Sequence, residues 1–234
     1  MNIMNTENNK DIFFPAGTAE VNIIPVMQGE EQMKVESGDL PDTLPILALR
    51  NAVLFPGMVY PVTIGRQKSI TLIKEAEKRD SFIGAVPQVD VTVEDPTEKD
   101  LYEYGTVSRV MKVLEMPDGT ITAIIQGVKR LRMDGVLSYE PYITARVKYI
   151  EDIIPENDNS TKMIAESLKE KAAVIIKSSS FAPKEAVGAL KSIDNYAFLV
   201  NFIATTVEIE NFMEKVQLLG IDDITVRAMK LLQV

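Results

Sequence analysis

The sequence predicts an α+β fold: a small curled β-sheet or barrel carrying one helix, followed by an all-α helical bundle. Three observations lead there. Between residues 44 and 150, short apolar runs are bounded by Pro and Gly, as buried strands are. Within that stretch Asp118-Gly119 separates two β-rich runs and supplies the positive φ angles of a tight hairpin. Beyond residue 160 the apolar residues recur at a helical period.

Residues 1–43 read as an acidic leader with a brief apolar island, Val21 to Met27, interrupted by Pro25. Strands follow at Leu44 to Leu49, Met58 to Ile64 and Phe82 to Gln88. Between the last two, Ile70, Ile73 and Ala76 mark one amphipathic helix over Arg66 to Arg79. The hairpin runs from Val107 to Ile125 around Met116 to Thr120, and two further strands are expected at Val128 to Leu137 and Tyr142 to Ile150. Six or seven short strands favour a closed or strongly curled sheet, because closure removes exposed edges. A polar linker is expected over Asp152 to Ser160, then a helical bundle over residues 161–234. Its first helix carries Met163, Leu168, Ala172 and Ile176. A short second one starts near Pro183 and ends about Leu190. Asp194 is placed to cap a third through Thr205, Thr205 to Glu208 to form a capping box for a fourth ending at Gly220, and Asp222 or Asp223 to cap a fifth. That last helix reaches Val234 still amphipathic and without a C-cap, so it reads as truncated.

Composition removes whole function classes. There is no Cys and no His, which excludes disulfides, thiol nucleophiles, Cys/His zinc sites and imidazole-based triads. The twelve glycines never stand closer than eight residues apart, so neither a dinucleotide-binding nor a P-loop fingerprint exists. The net charge of -9 divides into -6 over residues 1–43, +1 over 44–150 and -4 over 151–234. No segment has the basic excess that displaces counterions from nucleic acid, so nucleic acid is a poor partner. No apolar stretch is long enough to span a membrane and no export signal is present, which makes the cytoplasm the expected location.

From Leu44 to Ser69 the residues Leu-Pro-Ile-Leu-Ala-Leu-Arg-Asn-Ala-Val-Leu-Phe-Pro-Gly-Met-Val-Tyr-Pro-Val-Thr-Ile-Gly-Arg-Gln-Lys-Ser resemble the start of the N-terminal domain of the ATP-dependent protease Lon. The resemblance continues through Asp95-Pro96, Gly105-Thr106-Val107, Pro117-Asp118-Gly119-Thr120 and Gln126-Gly127 with Arg130-Leu131-Arg132, and more loosely to Arg227. It implies a PUA-like β-domain followed by a helical bundle, acting in substrate recognition and hexamer assembly. The implied partners are unfolded or tagged protein substrates, the protease's own ATPase and protease domains, and neighbouring subunits of a homo-hexamer. ATP, Mg²⁺ and the Ser-Lys dyad would belong to those other domains, leaving this chain without cofactor or catalysis. A free-standing PUA-like module for a small ligand or nucleic acid is the alternative.

Two groups of residues are candidates for substrate contact. Leu54, Phe55 and Met58 lie on an apolar loop between strands, which suits either capture of unfolded segments or plugging of the barrel end. Arg66 and Lys68 start a helix, where cations oppose the dipole, so helix stability does not explain them; a substrate or interdomain carboxylate would. Lys129, Arg130 and Arg132 form a small basic cluster best explained by pairing with nearby acids. Ser-Lys chemistry survives the absence of His, but Lys68-Ser69 and Lys177 with Ser178 to Ser180 lie in polar surroundings that would not neutralise a lysine.

Overall fold

In the computed structural model, which describes residues 40–154, 159–178, 186–207 and 209–233, the first strand, β1 (Thr43–Leu49), is apolar on both faces. Leu44 and Ile46 enter one core, Leu47 and Leu49 another. Such a strand must lie between two layers. After it come β2 (Val59–Ile64), α1 (Gln67–Arg79), β3 (Phe82–Pro87), β4 (Tyr104–Glu115), β5 (Ile121–Ser138) and β6 (Thr144–Ile150). The sheet order β2-β5-β4-β3-β1-β6 closes on itself because β5 also pairs with β6. Five strands therefore form a ring, and β2 is attached outside it.

The long strand β5 makes this arrangement possible. From Ile121 to Gln126 one of its edges pairs with β2, and from Arg130 to Ser138 that edge pairs with β6, while the opposite edge holds β4. The sequence divides this stretch into two strands at Gln126-Gly127, but the chain runs through. Gly127 marks a close approach rather than a break: a Cβ there would sit 2.5 Å from the Phe55 carbonyl oxygen.

The helices are α2 (Asn159–Ser178), α3 (Ala186–Lys191), α4 (Tyr196–Thr206), α5 (Phe212–Gln217) and α6 (Ile224–Gln233). Two of the expected caps are corrected. Asn195, not Asp194, caps α4, its side chain accepting from the Phe198 N–H at 2.9 Å. Asn211, not Thr205, caps α5, accepting from the Met213 N–H. Thr205 instead closes α4, donating back to the Asn201 carbonyl. Asp223 caps α6 through the N–H groups of Thr225 and Val226.

The β-rich and helical parts share one core: Phe55, Leu72 and Ile125 belong to the same buried cluster as Leu168, Phe202 and Leu231. The expected linker is correspondingly bound at its start. The Ile153 N–H donates to Asp222 at 2.9 Å, and the Ile224 N–H donates to Ile153. Residues 155–158 lie outside the described residues, as do 1–39 of the expected leader and the Pro183 start of the second helix. Leu40 is already buried, and the Asp42 carbonyl accepts from the Val147 N–H at 2.9 Å.

Candidate functional site

The loop carrying Leu54, Phe55 and Met58 is not an exposed capture surface. Leu54 is 3% exposed, and Phe55 and Met58 are fully buried at 0%. The loop lies between β5 and α4, and both layers bind its backbone. The Gly57 N–H donates to Gly127, whose own N–H donates to the Met58 carbonyl. The Thr106 hydroxyl donates to the Leu54 carbonyl at 2.6 Å, and the Asn201 amide donates to the Pro56 carbonyl. Gly57 itself adopts a φ of 82°, which an L side chain resists. These residues plug the junction of the two parts.

Arg66 and Lys68 do stand at a recess. A helix N-terminus gains nothing from cations, and both side chains turn away from α1. Arg66 donates to the Gln88 side-chain carbonyl and to the Val93 backbone, while its buried Nε has no partner among the described residues. Burial, followed by repulsion from Arg50, lowers the Arg66 pKa below the ordinary guanidinium value. Lys68 bridges Glu140 at 2.9 Å and Asp95 at 3.2 Å. Its hydrogen bonds to those carboxylates, Glu140 first, raise its pKa above the ordinary lysine value. That is the wrong direction for a Ser-Lys base, which must be neutral. Two adjoining cavities of about 260 and 270 Å³ share Ala48, Arg66 and Ser69; one opens toward β2, the other toward Tyr142 and Ile143.

The basic cluster on β5 pairs with acids. Lys129 meets Glu151, and Arg132 meets Glu103. Arg130 is buried, 1% exposed, and forms part of a network that joins the two parts of the molecule. One oxygen of Asp152 accepts from Arg130 at 2.7 Å and from Arg227 of α6 at 2.8 Å. Arg130 also donates to the carbonyls of Leu219, Ile221 and Glu151. Arg227, 0% exposed, donates to the Asn201 side chain and the Ile221 carbonyl. Desolvation, then repulsion from Arg227, lowers the Arg130 pKa to about 10. Asp152, Asn201 and Arg227 were not among the sequence candidates. The signal for Arg227 was present, since it falls on the apolar stripe of Ile224, Ala228 and Leu231.

Exposed apolar side chains occur on the β-rich part, at Val89, Met111, Met116 and Leu137, and several on the helical side stand near one another. Met163 of α2 is 71% exposed and Ile154 65%, and Ile153, Val226 and Met229 are exposed as well. The bridge from Ile153 to Asp223 sets Ile153 and Ile154 beside the first turn of α6, which carries Val226. Among the described residues no helix is long and apolar enough to cross a membrane, and no group of His, Cys, Asp and Glu could hold a metal ion.

Residues 43–234 match the ATP-dependent protease La (LON) substrate-binding domain. The chain belongs to this family. Among curated Lon proteases it is 43% identical to that of Flavobacterium johnsoniae, an alignment covering 92% of this chain and 26% of the relative. It is 34% identical to the Lon protease of Porphyromonas gingivalis, covering 94% of this chain and 26% of that one. The chain thus spans about a quarter of the length of the curated relatives it matches. The fold is that of solved Lon N-terminal domains. The domain from the Mycobacterium avium complex superposes with a TM-score of 0.64 at 18% identity, over 82% of this chain and 96% of that one. The Xanthomonas campestris domain gives 0.60 at 18% identity, over 82% and 97%. The α+β expectation therefore holds, and in this Lon-family chain Phe55 and Met58 serve the core.

Proposed function

We propose that this chain is the substrate-recognition and assembly part of a Lon-type ATP-dependent serine protease, acting in the cytoplasm on misfolded, regulatory or tagged proteins. The observation that carries the reading is the exposed apolar group of Ile153 and Ile154 beside the first turn of α6 with Val226 and Met229 on that helix. Methionine is unbranched and polarisable, so it adapts to unrelated apolar segments and suits a surface that must bind many sequences. One such patch gives weak binding, because little area must offset association entropy. Neighbouring copies in a homo-hexamer convert weak contacts into useful avidity. ATP hydrolysis with Mg²⁺ and peptide cleavage by a Ser-Lys dyad are assigned to the remainder of such a protease, not to this chain.

The test uses a reduced, alkylated model protein as a permanently unfolded probe. Val226→Lys with Met229→Lys should weaken its capture roughly tenfold, a loss of about 1.4 kcal/mol, with the thermal midpoint unchanged because both side chains are exposed. Unchanged capture by a folded variant would refute this face as the binding surface.

A further inference from the structure

Two strand edges face the recess beside Arg66, and among the described residues neither is paired over its full length. In β2 the direction of each backbone group follows from the ladder. The Met58 carbonyl accepts from Gly127 of β5, so in the alternation of an antiparallel pair Tyr60, Val62 and Ile64 also point at β5. Val59, Pro61 and Thr63 therefore turn their backbone groups outward. Pro61 fits that placement, since it has no N–H to give the ladder. In β1 the Leu49 carbonyl accepts from Gln88 on the β3 side, and the Ile46 N–H donates to Ile143 on the other. Ala48 therefore points the same way as Ile46, beyond the Thr43 to Pro45 segment that pairs with β6. Its N–H and C=O face the recess.

The cavity of about 260 Å³ that opens toward β2 is lined by the consecutive residues Leu47 to Arg50 and Tyr60 to Arg66. Consecutive residues of a strand line a space together only when the strand presents its edge, because its side chains alternate between faces. Unpaired main-chain donors and acceptors at an edge are a template for another strand. The remaining wall suits the same occupant. Arg66 makes no ion pair among the described residues, and its buried Nε lacks an acceptor, so one peptide carbonyl or terminal carboxylate would complete it.

We propose that the groove between β1 and β2 binds an extended segment of an unfolded protein as an added β-strand. Ala48 and the outward edge of Val59, Pro61 and Thr63 supply the main-chain bonds, and Arg66 takes an oxygen of the segment. This rests on the substrate-recognition reading and gives it a second site, separate from the α6 face. Recognition through main-chain groups is indifferent to sequence, as the degradation of many different unfolded chains requires, while alternate side chains add modest preference.

The experiment compares, on the 234-residue chain, a fluorescein-labelled peptide alternating Val and Ser with a copy N-methylated at every second amide. Both present the same side chains; only the first offers a full row of N–H donors. The unmethylated peptide should bind at least tenfold more tightly. Thr63→Pro removes an outward N–H and no β5 ladder bond, and should weaken the unmethylated peptide by a similar factor while leaving capture by the α6 face intact. Equal binding of both peptides would overturn the proposal, as would binding of neither while unfolded protein is still captured; in both cases the α6 reading stands. Loss of all binding to unfolded protein would sink both. A concentration-dependent dimer abolished by Thr63→Pro, with no peptide binding, would overturn the proposal in favour of a second copy at this edge. If Thr63→Pro does not fold, the methylated pair on the unaltered chain decides alone.

Discussion

Removing the Asp152 carboxylate, as in Asp152→Ala, should destabilise the protein more than any exposed charge would. Arg130 and Arg227 are 1% and 0% exposed, and one oxygen of Asp152 serves both at 2.7 and 2.8 Å. Its loss leaves two desolvated guanidiniums held only by neutral carbonyls and the Asn201 amide. Breaking a buried ion pair by removing one partner costs about 3–5 kcal/mol. Asp152 is itself 23% exposed, so water can replace part of the lost charge and the lower end, about 3 kcal/mol, is expected. For a chain of this size that corresponds to a fall in the thermal midpoint of roughly 6–12 °C. Urea unfolding followed by circular dichroism measures it. The same network joins β5 to α6, so the unfolding slope should also fall if the two parts separate before global unfolding. A loss below about 1 kcal/mol, the range of exposed pairs, would refute the account of Asp152 as the shared counter-ion. Replacing all three charges with Arg130→Met, Asp152→Leu and Arg227→Met should recover most of the loss, since well-packed apolar replacements of buried ion pairs are often neutral.

Two further outcomes can be checked on the same chain. Phe55→Ser with Met58→Ser, at fully buried positions, should lower stability by at least about 4 kcal/mol in the same urea assay, whereas an unchanged midpoint would restore the loop as an exposed surface. Tyr149, whose hydroxyl donates to the Pro41 carbonyl, has its pKa raised from 10.0 to about 12, first by burial and then by Asp42. The folded state thus holds a proton that the unfolded state releases, so this contribution to stability is complete below pH 10 and is lost as pH rises through about 12. Tyr60, Tyr142 and Tyr196 are also shifted upward, burial first, so tyrosinate absorbance should lose the latest-titrating group in Tyr149→Phe; loss of a group that titrates near the ordinary value instead would contradict the burial.

What the sequence could and could not reveal follows from where each signal resides. The strand β1, the helix α1 and the hairpin at Asp118-Gly119 were legible because periodicity and turn chemistry are local, and each is encoded within its own segment. Gly127 was misread as a break because glycine marks both an interrupted strand and a close backbone approach. Only the position of the Phe55 carbonyl distinguishes them. The choice between capture and plugging at Leu54, Phe55 and Met58 stayed open in the sequence for a related reason. An apolar loop looks exposed when its covering layer lies far along the chain, and here that layer is α4, whose Asn201 stands 145 residues beyond Pro56. Arg227 shows the converse. A single arginine on an otherwise apolar helical stripe must either tilt the helix toward solvent or find a buried anion, and the chain had one to offer at Asp152. The two candidates that do line a cavity, Arg66 and Lys68, were those whose placement local helix energetics could not explain. Residues that cost their own element stability were therefore the better guide to the recess, whereas apolar residues without visible cover turned out to be the core.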